Sequence, residues 1–123
     1  MKVLVTGING FVGQHLKREL EIHGHDVRGL DVISANAKVF EADILDALRL
    51  NKALKDTGPD AVIHLAAIAS VDHRDPSALY NVNFNGTVNL LNACRDLEKK
   101  PDFLFISSSQ VYGNVPADKL PID

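Results

Sequence analysis

Three glycines at three-residue spacing, Gly7, Gly10 and Gly13, stand between an apolar stretch, Lys2-Val3-Leu4-Val5, and a segment with helical apolar spacing. That pattern makes a phosphate-binding turn. Gly7 allows a tight exit from a strand, Gly10 has no side chain to block an approaching pyrophosphate, and Gly13 lets a helix lie close on the sheet. The phosphate then meets the free N–H groups of a helix N-terminus, where the macrodipole favours an anion. A second group follows at Asp31, which ends the strand-like run Asp26–Leu30, 24 residues after Gly7. A carboxylate there accepts hydrogen bonds from both hydroxyls of an adenosine ribose and repels a 2′-phosphate. The register of strand, glycines and aspartate therefore points to NAD over NADP; Arg28 lies earlier in the strand and is a less natural partner for a 2′-phosphate. The competing reading is an aspartate that merely starts a turn.

Other residues carry weaker signals. Asp43, followed by Ile44, is placed either to accept from an adenine amino group or to cap the next helix, and Asp46 would cap it equally well. His64 reads as a packed, hydrogen-bonded histidine rather than a base. The pair His23-x-His25 has no third ligand in view and reads as a solvated turn, so no metal is expected. Cys94, the single cysteine, lies in the apolar run Leu90-Leu91-Asn92-Ala93-Cys94 and reads as a buried structural thiol. One cysteine excludes an intrachain disulfide and any zinc site that needs two cysteines of this chain.

These residues must be positioned by alternating strands and helices. Lys2–Val5 is the first predicted strand. Val12, Leu16 and Leu20 give one apolar face to a helix from Phe11 to about His23, with Gly24 as its stop. Asp26–Leu30 and Lys38–Glu41 follow as strands, then a helix from Leu45 to Lys55 ended by Gly58-Pro59, then a fourth strand at Asp60–Leu65. Asp75 and Pro76, as N-cap and first helical residue, open the longest predicted helix, running to about Glu98. Pro101 separates it from a fifth strand, Phe103–Ile106, and the prolines after Gly113 predict a loop. Apolar strands alternating with helices imply a parallel sheet covered on both faces. Right-handed crossovers then give a Rossmann-type doubly wound α/β fold with strand order 3-2-1-4-5. Its switch point, between strands 1 and 4, brings Thr6-Gly7 beside Leu65-Ala66-Ala67.

The 123 residues make one domain, 46% hydrophobic and 24% charged, as in an ordinary soluble protein. A net charge of −3 with no basic stripe gives no case for nucleic acid or an anionic membrane surface. The apolar run before Thr6 is too short for a signal peptide, and no segment approaches the roughly 20 apolar residues that span a bilayer. The expectation is a cytoplasmic protein with no membrane partner.

Four segments in order go further: Thr6-Gly7-x-x-Gly10-x-x-Gly13, His64-Leu65-Ala66-Ala67, Asn83-Phe84-Asn85-Gly86-Thr87 and Ser107-Ser108-Ser109-Gln110-Val111-Tyr112-Gly113. Together they resemble the extended short-chain dehydrogenase/reductases, also called the NAD-dependent epimerase/dehydratases, which act largely on nucleotide sugars. The resemblance covers essentially the whole chain. It implies that Phe11 and Val12 offer backbone N–H groups to the pyrophosphate, that Asp31 holds the ribose and that Asp43 and Ile44 flank the adenine. It implies further that Leu65, Ala66, Ala67 and Ala69 line the cofactor's path and that Asn83 orders the cofactor side of the active site. Ser108 matches the family's catalytic Ser/Thr, whose hydroxyl bonds the reacting sugar oxygen. Gln110 stands where the dehydratases carry a glutamate, which argues for an epimerase or a 4-keto reductase instead. The Ser70-Val71 loop and the Val115–Asp123 tail lean toward GDP-4-keto-6-deoxymannose reductases or UDP-glucose 4-epimerases. Each residue has a plainer reading too: Asn83 as a buried amide tying helix to backbone, Ser107–Ser109 as a strand end.

The resemblance also implies a Tyr-x-x-x-Lys pair, the tyrosine as acid/base and the lysine lowering its pKa. The sequence lacks it: four residues after Tyr80 and Tyr112 stand Phe84 and Pro116. The expectation is therefore the N-terminal, NAD-binding part of a longer protein, its sheet truncated after the fifth strand and its substrate-binding region elsewhere. Residues 1–123 alone are expected to turn over no sugar, and a bare apolar fifth strand to favour a homodimer or poor solubility. A non-catalytic NAD-binding module and an inactive fragment are the alternatives.

Overall fold

The computed structural model describes residues 1–34, 36–69 and 75–119. Ser70-Val71 and Leu120–Asp123 lie outside the described residues, as do the family leanings drawn from them. Five parallel strands, β1 (Lys2–Thr6), β2 (Asp26–Asp31), β3 (Val39–Glu41), β4 (Ala61–His64) and β5 (Asp102–Phe105), form one sheet in the order β3-β2-β1-β4-β5. β1 is central, pairing Val3 with Val27 on one side and with Ala61 on the other. This is the doubly wound order expected from the alternation of elements.

Alternate residues of each strand feed two cores. Val3, Val5 and Val27 point to the face covered by α1 (Phe11–Ile22), where Leu16 and Leu20 pack on them. Leu4, Leu30 and Val62 point to the other face, against α2 (Ala47–Thr57) and α4 (Thr87–Arg95), whose Leu50, Leu54, Leu90 and Ala93 are buried. Cys94 is buried there as well, and burial pushes its thiol up to about 11. Val12, counted in the α1 face from its spacing, instead remains 58% exposed, because the packed stripe of the helix runs through Gly13, Leu16 and Leu20.

Other corrections concern boundaries and one change of helix type. α2 begins at Ala47 rather than Leu45, because Asp46 is the N-cap and accepts the Arg49 N–H at 3.0 Å. β3 begins at Val39 rather than Lys38, β4 ends at His64 rather than Leu65, and β5 is shifted back by one residue. The long helix opens as expected, with Asp75 accepting the Ser77 and Ala78 N–H groups and Pro76 at the first position of α3 (Pro76–Tyr80). It is not α-helical throughout. A π-helical stretch, Asn81–Gly86, joins α3 to α4, which ends at Arg95 rather than Glu98. The stretch packs closely at its C-terminal end. A Cβ on Gly86 would lie 2.5 Å from Ile44 Cγ2, so the helix approaches Ile44 as closely as glycine allows. The segment expected as loop contains a 3-10 turn at Ala117–Lys119, and another, Ser109–Tyr112, follows β5.

Candidate functional site

Where the strand order reverses between β1 and β4, a cavity of about 490 Å³ opens at the carboxyl ends of the strands. Its walls come from four places: the glycine turn (Gly7, Asn9, Gly10), the end of β2 (Leu30, Asp31, Val32), the segment after β3 (Ala42, Asp43, Ile44) and the segment after β4 (Leu65, Ala66, Ala67, Ile68), with Val82 from the π-helical stretch. Polar side chains are few, Asn9, Asp31 and Asp43, as in many small-molecule sites.

The glycine turn is held by backbone contacts that leave no room for side chains at two positions. Gly7 has φ +68°, and a Cβ there would lie 2.9 Å from the Ala66 nitrogen. A Cβ on Gly13 would lie 2.5 Å from the Gly7 carbonyl oxygen, which is the close helix approach that the spacing implied. A Cβ on Gly10 would meet only the Gly7 oxygen, at 3.1 Å, and the space beside it is otherwise open. No side chain caps α1. The Phe11, Val12 and Gly13 N–H groups therefore have no partner from within their own helix. The side chains of Phe11 and Val12 turn away to solvent, Phe11 lying edge-on to His15 with ring centroids 4.9 Å apart. The donor set at this helix end suits a pyrophosphate.

Asp31 is wired into the turn. Its Oδ2 accepts the Asn9 N–H at 3.0 Å and its Oδ1 accepts the Val32 N–H at 2.8 Å. A carboxylate offers about four lone-pair sites, so two remain for ligand hydroxyls. The Gly7 N–H bonds the Leu30 carbonyl at 2.8 Å, and the Asn9 side chain bonds the Ile33 carbonyl at 2.7 Å. Arg28, by contrast, pairs with Asp26 at 3.3 Å and is not among the cavity residues. Asn9 escaped the sequence reading because the glycine spacing leaves the residue at that position unspecified and its partner lies 24 residues away. Ala42, Ile68 and Val82 escaped it for want of any local mark.

The choice between Asp43 and Asp46 is resolved for the cap, which is Asp46. Asp43 accepts the Leu45 N–H at 2.9 Å and stays exposed at the cavity wall. Ile44 is buried beside it. Asn83 holds the loop after β4 with both atoms of its amide: Oδ1 accepts the Ile68 N–H at 2.8 Å and Nδ2 donates to the Ile68 carbonyl at 3.1 Å. Neither Asn83, Ala69 nor Ser108 lines the cavity. Ser108 is exposed and its Oγ accepts the Gln110 N–H at 3.2 Å, as cap of the turn after β5. His64 is packed: it is 2% exposed, both ring nitrogens have hydroxyl partners, and burial lowers its pKa. Among the described residues there is no cluster of three or more metal-ligating side chains, and no helix is long and apolar enough to cross a membrane.

A glycine turn opening α1, a carboxylate ending β2 and a cavity at the switch point define a Rossmann-type domain. Comparison with known proteins narrows this. Residues 3–123 match the NAD dependent epimerase/dehydratase family, and the chain belongs to it. It is 39% identical over 132 residues to a UDP-glucose 4-epimerase of Lactobacillus helveticus, covering 99% of this chain and 39% of that protein. It is 38% identical over 123 residues to a GDP-6-deoxy-D-mannose reductase of Pseudomonas aeruginosa, covering 98% of this chain and 38% of that protein. Among solved structures, it resembles the UDP-glucose 4-epimerase of Stenotrophomonas maltophila with bound NAD and formylated UDP-arabinopyranose, with a TM-score of 0.86 and 32% identity over 99% of this chain and 40% of that one. The chain thus spans about two fifths of each of these relatives.

Proposed function

We propose that this chain is the NAD-binding part of a cytoplasmic nucleotide-sugar epimerase or 4-keto reductase, in which hydride passes between C4 of the sugar and the nicotinamide. The observation that carries the reading is Asp31. Its carboxylate faces the cavity with two acceptor sites to spare and sits beside a helix end with unpaired N–H groups. The Phe11, Val12 and Gly13 N–H groups would hold the pyrophosphate, Asp31 the adenosine ribose, and Asp43 with Ile44 the adenine. Leu65, Ala66, Ala67 and Ala69 would flank the path toward the nicotinamide, with Asn83 fixing the loop they belong to. Bound NAD supplies a hydride acceptor or donor. Ser108 would bond the sugar oxygen that gains or loses a proton, once its hydroxyl is turned from the cap to the substrate. Gln110 in place of a carboxylic acid favours epimerisation or reduction over loss of water, which needs an acid to protonate the leaving hydroxyl.

A 2′-phosphate at Asp31 would set like charges together with no arginine of β2 free to answer it. Titration of the chain with NAD and NADP tests the reading, on the wild type and on Asp31→Ala. The expected result is NAD binding in the wild type, weaker NADP binding, and loss of that preference in Asp31→Ala. Equal affinity for the two cofactors in the wild type refutes the role given to Asp31, and failure to bind either refutes the cofactor reading for this chain.

A further inference from the structure

The ends of β1 and β4 are joined to the long helix through one imidazole. His64 Nδ1 lies 2.7 Å from Thr6 Oγ1, and Nε2 lies 2.9 Å from Thr87 Oγ1. The proton positions follow from the outer ends of the chain. Thr87 spends its only hydroxyl proton on the Asn83 carbonyl, at 2.7 Å, so toward the ring it can only accept, and Nε2 must carry a proton. At the other end Thr6 Oγ1 accepts the N–H groups of Leu65 and Ala66, both at 3.2 Å. The Leu65 N–H is shared with the Thr6 carbonyl, at 3.3 Å, but both amides point at the hydroxyl oxygen and occupy its two lone pairs. A proton on Nδ1 would make a third donor onto the same oxygen, so Nδ1 is bare and accepts the Thr6 hydroxyl. Every bond then runs one way, from the Leu65 and Ala66 amides through Thr6, His64 and Thr87 to the Asn83 carbonyl. Such aligned chains polarise one another. The segment they hold is a wall of the cavity, and the Asn83 amide fixes its far end at Ile68.

We propose that His64 is a positioning residue, locked as the neutral Nε2–H tautomer, and that this relay sets the wall Leu65–Ile68 at the distance the cofactor requires. The proposal rests on the reading of the cavity as an NAD site, and two of its three tests need no cofactor. In a long-range proton–nitrogen spectrum of the nitrogen-15-labelled wild-type chain, His64 shows a protonated Nε2 and a bare Nδ1. The opposite tautomer or an imidazolium at neutral pH overturns the proposal. Thr87→Val removes the acceptor at a half-buried position. The Leu65 and Ala66 amides then exchange faster with solvent and NAD binds about tenfold more weakly, a loss of about 1.4 kcal/mol. Thr87→Ser restores both. Unchanged amide exchange in Thr87→Val overturns the relay, and faster exchange with unchanged NAD affinity overturns its positioning role. If the wild type binds no NAD, the cofactor reading falls, while the tautomer and the exchange rates still decide the relay.

Discussion

Gly7→Ala should be among the most damaging single-methyl changes in this chain, and its cost can be divided in two. Gly7 has φ +68°, a left-handed conformation that costs an alanine about 1–2 kcal/mol. The added methyl would also fall 2.9 Å from the Ala66 nitrogen, 3.0 Å from its Cα and 3.1 Å from the Leu65 carbonyl carbon. These are backbone atoms of the segment that Thr6 ties down, so no side chain can swing aside. Overpacking of that kind costs about 1–3 kcal/mol. The sum is about 2–5 kcal/mol, against a total stability of about 5–15 kcal/mol for an ordinary domain. Gly24→Ala separates the two contributions. Gly24 has φ +78° and nothing within 4 Å of its would-be Cβ, so it suffers only the conformational cost. Urea unfolding of wild type and both variants, with slopes checked for constancy, gives the difference directly. Gly24→Ala should lose about 1–2 kcal/mol and Gly7→Ala at least about 1 kcal/mol more. Equal losses would refute the claim that the closeness of the β4 loop dictates glycine at position 7.

Asp46→Ala, which removes the α2 cap, should cost about 1 kcal/mol of stability and leave NAD affinity unchanged, whereas Asp43→Ala should weaken NAD binding; the reverse pattern in paired melts and titrations would exchange their roles. The Lys99 ammonium and the Lys2 N–H hold the accessible Asp60 carboxyl down to about 2. A lowered folded-state pKa gives stability that is present above the ordinary carboxylate range and lost as pH falls from about 4 toward 2. Asp60→Asn should therefore flatten the acid limb of the wild-type stability curve in that window, and identical limbs would count against the pairing. β5 leaves Leu104, Phe105 and Ile106 half exposed at a sheet edge, so the chain should self-associate. A monomer by light scattering at high concentration would contradict this.

The sheet order was legible because strand-length and helical patterns alternate along the chain and right-handed crossovers leave few arrangements. The cap at Asp75-Pro76 was legible because both residues act on their own neighbours. The π-helical stretch was not, since nothing in Asn81–Gly86 favours a wider turn locally, and the residues it meets, Ile44 and Ile68, are distant in sequence. The glycine turn and Asp31 could be placed from spacing alone. Asn9 and the Thr6–His64–Thr87 chain could not, because their partners are 22 to 58 residues away and each residue is unremarkable by itself. Ser108 marks the opposite difficulty. Its motif is plain, but the side chain caps the turn after β5 and stands outside the cavity lining.

The sheet order also has a consequence in time. β1 is the first strand to be synthesised and occupies the middle of the sheet, with Val3 paired to Val27 on one edge and to Ala61, 58 residues later, on the other. A growing chain can close the β1–β2 edge while α1 packs beneath it, but the second edge of β1 must wait for all of β2, β3 and α2 to emerge. Pairing across such a separation is slow, because the entropy of closing the loop is lost before the contact forms. In that interval the most buried strand of the finished protein is an open one. β4, the strand that ends this exposure, runs directly into the residues that wall the cavity, so the cavity takes shape only when the second edge of β1 closes.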